Sequence, residues 1–164
     1  MPFNRLLFCA LEEDCSHTEG GVSAALSSMP DTNVLLFKLD KHADGSRDAL
    51  GLGQDDKLCD LLLYVVGRRN GELRRVLCFV ECKGTEHDQA LAQLESTATV
   101  LVQRLPGGVP RHVRVIGAVR SNVGSAPKHK QKRHGHGPLE CVEVCRHSSQ
   151  LEALVDRYLG KAAG

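Results

Sequence analysis

An α/β fold with five strands and three helices is predicted by three features of this 164-residue chain. Apolar residues recur at helical spacing in three segments, short apolar or alternating runs mark five others, and an Asn-Gly pair between two of those runs signals a hairpin. The resulting order is αβββαββα.

Residues 3–14 place Phe3, Leu6, Leu7, Ala10 and Leu11 on one helical face, with Glu12 opposite and Glu13 at the border. A Gly/Ser-containing stretch leads to a strand at Val34–Leu39, and the polar, glycine-bearing segment Asp40–Asp56 reads as a loop. Leu61–Val66 is a buried strand, Asn70-Gly71 its turn, and Arg75–Lys83 the return strand. On that strand residues 77, 79, 81 and 83 share one face and 76, 78, 80 and 82 the other.

Gly84 stops the return strand, and Asp88–Val102 forms a helix with Ala90, Leu91, Leu94, Ala98, Leu101 and Val102 in its stripe, closed by Pro106-Gly-Gly108. Val113–Val119 is a further strand and Ser121–Pro138 a long polar loop. Leu139–Cys145 is the fifth strand, and Ser149–Leu159 a helix presenting Leu151, Leu154, Val155 and Tyr158. One domain over 1–164 is expected, because a chain of about 150 residues buries roughly 70% of its unfolded surface without staples.

Composition narrows the function classes. With 21 basic and 20 acidic residues the net charge is +1, so the whole molecule exerts no strong field on a polyanion, and a nucleic-acid site must be a local basic patch. Seven cysteines, an odd number with no CxxC pair and several within apolar runs, point to a reducing cytoplasm rather than a disulfide framework. The N-terminal apolar stretch runs into Glu12-Glu13-Asp14 and lacks the marks of a signal peptide. No run approaches the roughly 20 apolar residues that cross a bilayer.

Asp60 sits at the start of one hairpin strand, and Glu81 and Lys83 share a face of the other. The hairpin brings the three together at one sheet end. Carboxylates in an apolar sheet are costly unless paired or bound to metal, and two facing each other make a hard-oxygen site suited to Mg²⁺ or Mn²⁺. The backbone carbonyl of Cys82, between them, is a candidate third ligand. A divalent ion there polarises a phosphoryl oxygen and lowers the pKa of a bound water, while the Lys83 ammonium orients that water and steadies charge on the phosphate. Phosphodiester hydrolysis is the predicted reaction. The competing reading is a Glu81–Lys83 pair on a solvated face, which the apolar flank Val76-Leu-Cys-Phe-Val80 and the following Gly84-Thr85 disfavour.

In Leu58-Cys-Asp60-Leu-Leu-Leu63, Phe79-Val-Glu81-Cys-Lys83-Gly84 and Gln89-Ala-Leu-Ala-Gln93-Leu-Glu95 the chain resembles the PD-(D/E)xK nuclease superfamily, in pattern over residues 3–145. The resemblance implies a restriction-endonuclease-like core with a mixed central sheet flanked by helices. It implies Asp60 and Glu81 as metal ligands, Lys83 as the catalytic lysine, and Mg²⁺ as cofactor with Mn²⁺ as substitute. The nearest matches to two further family residues are Gln93 and Glu13, the latter with Glu12 and Asp14 as alternatives. The family's proline is absent, since Cys59 precedes Asp60. An endonuclease-type hydrolase acting on DNA ahead of RNA, in restriction, repair or defence, follows from the family, as does homodimerisation. The alternative is a module of the same fold that has lost catalysis and binds nucleic acid or a partner protein.

The run Lys128-His-Lys-Gln-Lys-Arg-His-Gly-His136 is the candidate DNA contact, through Lys128, Lys130, Lys132 and Arg133, since such a cluster neutralises phosphates; a solvated loop is its alternative. Arg68, Arg69, Arg74 and Arg75 around the hairpin extend a basic surface or serve solubility. His129, His134 and His136 with Cys141 or Cys145 make a poor zinc site, lacking the tight paired spacing of a knuckle. His87 is placed either to approach phosphate or to cap the following helix, and Tyr64 and Phe79 read as core.

Overall fold

The computed structural model describes residues 16–19, 21–26, 29, 31–39, 52–53, 56–83, 87–104, 113–122 and 137–160. The first predicted helix at 3–14, most of the loop from 40 to 56, and residues 123–136 lie outside the described residues.

Alternation along each strand divides the sheet residues between two faces, and the described elements form layers on both. Five strands, β3 (Thr32–Lys38), β4 (Leu61–Arg69), β5 (Glu72–Cys82), β6 (Val113–Arg120) and β7 (Val142–Cys145), lie side by side in that order. β3, β4 and β5 pair antiparallel, whereas β5–β6 and β6–β7 pair parallel, so the sheet is mixed. A two-stranded antiparallel hairpin, β1 (Ser16–Glu19) and β2 (Val22–Ala25), stands apart.

Helix α1 (His87–Arg104) covers one face of the sheet through Ala90, Leu94, Ala98 and Leu101, packed on Leu62, Leu77, Phe79, Val115 and Val119. Asp88 in its first turn and Arg104 in its last complement the helix dipole. Helix α2 (Ser148–Gly160) covers the other face with Leu151, Leu154, Val155 and Leu159 against Leu63, Val65, Cys78, Val80 and Ile116, and β2 adds Val22 and Ala24 to this layer. The general α/β class and the five-stranded mixed sheet match the sequence reading.

Most boundaries move by one or two residues, and three move by three. β4 runs on to Arg69 and β5 starts at Glu72, because ladder bonds continue to the turn however charged the side chains are. Asn70 (φ 52°) and Gly71 (φ 81°) are both left-handed, the signature of a type I′ turn. β7 begins only at Val142. The preceding residues still run beside β6, Glu140 donating to the Val115 carbonyl (2.8 Å) and the Cys141 carbonyl accepting from Gly117 (2.9 Å). The β1–β2 hairpin falls where only a Gly/Ser-containing connection is expected.

Leu58 and Cys59 lie buried beneath α1 without strand pairing, and β4 begins just after Asp60. Every residue of β5 from Val76 to Cys82 is buried, as befits a strand with neighbours on both sides and helices on both faces. Among the described residues no helix is long and apolar enough to cross a membrane.

Candidate active site

The turn at Asn70-Gly71 fixes the β4–β5 register, with Leu61 opposite Val80; one step further Asp60 comes opposite Glu81. Alternation sends both side chains to the α1 face, the face of Leu62 and Phe79. Two acids spaced 21 apart in sequence are thus cross-strand neighbours at the C-terminal end of β5.

Their contacts interlock. The Asp60 amide donates to Glu81 Oε2 (3.2 Å), and Asp60 Oδ2 accepts from the Cys82 amide (2.6 Å). Lys83 continues the ladder through its own amide, which donates to the Arg120 carbonyl (2.9 Å), and its Nζ lies 3.3 Å from Glu81 Oε1. Glu81 is fully buried, while the Lys83 side chain keeps 30% of its surface exposed. The ammonium therefore lies between the acid pair and solvent. Glu81 Oε1 accepts no hydrogen bond from the described residues, its partner being the Lys83 charge.

The electrostatics follow from burial. Loss of hydration, reinforced by the neighbouring Asp60 charge, pushes the Glu81 carboxyl from 4.5 up to about 7, although Lys83 and the Asp60 amide pull the other way. A carboxylate held near neutrality in this way is short of positive charge, which a divalent cation would supply. Mg²⁺ retains several waters and asks for only one or two protein carboxylates, so Asp60 and Glu81 are a sufficient donor pair. The Cys82 carbonyl leaves its extended strand on the same side as the Cys82 amide, toward Asp60, while the Cys82 side chain turns to the α2 face. Among the described residues no group of three or more His, Cys, Asp and Glu side chains is arranged to hold a metal.

Gln93 also reaches this end of the sheet. Its Nε2 donates to the Leu58 carbonyl (3.1 Å), and its buried Oε1 has no hydrogen-bond partner among the described residues. Gln89, one turn earlier, is exposed, so the two glutamines are not a solvent-facing pair. Thr97, fully buried and absent from the predicted apolar stripe, accepts from the Cys59 amide (2.7 Å) and donates to the Gln93 carbonyl (2.7 Å). The Gln93-x-x-x-Thr97 spacing, one helical turn, is the sequence signal that places both on one face. His87 begins α1, half-buried, with Nδ1 lacking a hydrogen-bond partner among the described residues.

Other candidates separate from the site. Glu13, with its alternatives Glu12 and Asp14, and the basic residues Lys128, Lys130, Lys132 and Arg133 lie outside the described residues, as do His129, His134 and His136. The hairpin arginines, Arg68 and Arg69 on β4 and Arg74 and Arg75 on β5, occupy the turn end of the hairpin, which at about 3.3 Å per residue is roughly 25 Å from Asp60. Arg69 pairs with Asp156 and Arg74 with Glu72, which neutralises much of that tip. Cys141 and Cys145 face the α2 layer, where burial pushes the Cys145 thiol up to about 12, far from the thiolate that zinc requires. Arg120 is a buried cation that the sequence reading did not single out. It turns to the α2 face and donates to the carbonyls of Ser23 (2.6 and 2.9 Å) and Cys145 (2.9 Å), tying β2 to the sheet end.

Comparison with family models, with curated proteins and with solved structures finds no match to this chain.

Proposed function

We propose that this chain is a metal-dependent nuclease of the restriction-endonuclease-like fold, hydrolysing phosphodiester bonds at the Asp60–Glu81–Lys83 cluster. The observation that carries the reading is the juxtaposition of two carboxylates across β4 and β5 with an ammonium 3.3 Å from one of them. Burying two acids side by side is costly, and a bound cation would offset that cost.

Asp60 and Glu81 would hold Mg²⁺ or Mn²⁺, with the Cys82 carbonyl on the same side. When bound, the ion polarises the phosphoryl group and activates water. Lys83 contributes a fixed positive charge beside the acids, partly solvated, where it meets the non-bridging oxygens of an approaching phosphate and orients the attacking water. As that water bonds to phosphorus and passes a proton to solvent, the ester bond would break, its oxygen would leave protonated as a sugar hydroxyl, and the charge gathering on the phosphate would fall next to the ammonium. Glu81 must be ionised to bind the cation, and its Lys83 neighbour favours that state.

DNA ahead of RNA is the proposed substrate, with Lys128, Lys130, Lys132 and Arg133 as the phosphate-neutralising run. Incubating the protein with linear, circular, single-stranded and branched DNA and with RNA, in Mg²⁺ or Mn²⁺, tests the reading. Wild type cuts and Lys83→Ala does not; wild type that cuts nothing overturns it.

A second reading, a nuclease-fold module without catalysis that binds nucleic acid or a partner protein, draws on the lack of a third acidic side chain near the pair among the described residues. Thermal shift on adding Mg²⁺ separates the two, because a ligand that binds only the native state raises the melting temperature.

A further inference from the structure

The position of Asp60 depends on peptide groups that no strand holds. Leu58 and Cys59 are buried beneath α1, yet strand pairing begins only at Leu61, so the ladder leaves their backbone polar groups unsatisfied. Two side chains one turn apart on α1 take up two of them, one from each residue. Gln93 Nε2 donates to the Leu58 carbonyl, and Thr97 Oγ1 accepts the Cys59 amide while giving its single proton to the Gln93 carbonyl. A hydroxyl is suited to this place because it donates and accepts at once.

We infer that Thr97 is a positioning residue, whose hydroxyl sets the chain at Cys59 so that Asp60 stands across from Glu81 in cation-binding geometry. This rests on the proposed metal site. The link is short: Cys59 is bonded to Asp60, whose amide reaches Glu81 Oε2 and whose carboxylate takes the Cys82 amide. On its other side the Asp60 carbonyl accepts from Leu39 (2.8 Å), so Thr97 anchors the one flank of Asp60 that the sheet does not. Ligand sets tolerate displacements of only about 0.5 Å before binding suffers. Groups that orient metal ligands indirectly alter affinity by roughly 10–100-fold when removed.

The test compares full-length wild type, Thr97→Val and Thr97→Ser. Valine keeps the branched shape and removes the hydroxyl, whereas serine keeps the hydroxyl. Mn²⁺ alone is titrated by electron paramagnetic resonance, and hydrogen exchange is followed at the Cys59 and Asp60 amides. Thr97→Val should weaken Mn²⁺ binding about tenfold or more and speed exchange at Cys59, while Thr97→Ser restores both. With DNA as substrate, the valine variant should lose kcat with little change in KM.

Equal Mn²⁺ affinity in all three proteins, or a serine variant as weak as the valine one, overturns the inference while leaving the metal site standing. Wild type that takes up no Mn²⁺ overturns the proposed function, and with it the assignment of Thr97 to cation binding. The amide arm then still reports whether the hydroxyl holds Cys59.

Discussion

Asp60 and Glu81 hold each other through backbone amides. The Asp60 amide donates to the Glu81 carboxylate, and the Asp60 carboxylate accepts from the amide just after Glu81. The two acids therefore stay together although their charges repel, and burial, reinforced by that repulsion, raises the Glu81 carboxyl to about 7.

The first consequence is a pH dependence of stability. Glu81 is protonated in both states below its ordinary value of 4.5; between 4.5 and about 7 the unfolded chain releases the proton and the folded chain keeps it. Stability from this group is thus full below 4.5, falls as pH rises to about 7, and is level above. The loss is at most ~3 kcal/mol. Glu81→Gln, which mimics the protonated acid, should abolish cleavage, flatten this slope and be more stable than wild type at pH 8, as urea unfolding at pH 5 and pH 8 will show.

Removing the lysine acts in the opposite sense on the same group. Lys83 lowers the Glu81 value, so Lys83→Ala should raise it above 7, visible in the carboxyl carbon shift on NMR titration. Cleavage should fall by about 10²–10³ or more, the usual loss when a fixed electrostatic contact at a reacting centre is removed. Lys83 is partly exposed, so the fold should be kept, with stability lost only above about pH 7, where Glu81 ionises without its partner.

On the proposed reading, a cation competes with the proton on Glu81. The rise in melting temperature produced by Mg²⁺ should be small at pH 6 and grow as pH passes through about 7. In Glu81→Gln it should be absent at every pH. A shift that does not vary with pH would place the cation elsewhere.

Much of this was legible before the structure, because the Asn70-Gly71 turn fixes the pairing of everything on either side of it. Arg69 opposite Glu72 leads by equal steps to Asp60 opposite Glu81, and the apolar runs confirm which strands are buried. The helix at His87–Arg104 was equally plain from its period. The β1–β2 hairpin was not, since strands of four residues such as Ser16–Glu19 carry too little pattern, and its burial comes from α2, more than 120 residues away. Thr97 was missed for a related reason: a threonine in a helix is read as polar surface, and its buried partner, the Cys59 amide, lies in another part of the chain.

That same turn permits a control distant from the chemistry. Gly71 has φ +81°, and a side chain there is strained although no atom lies within 4 Å. Gly71→Ala should cost about 1 kcal/mol of stability, read by urea denaturation. Cleavage per folded molecule should not change, since the turn lies at the other end of β4 from Asp60.

On the proposed function, Asp60 and Glu81 act as one centre. Single-turnover DNA cleavage in Mg²⁺ by Asp60→Asn, Glu81→Gln and the double variant measures this directly, because residues that work as a unit lose their effect together. Each single variant should be as inactive as the double. Independent, multiplying losses, or single variants that cut at the wild-type rate, would contradict it.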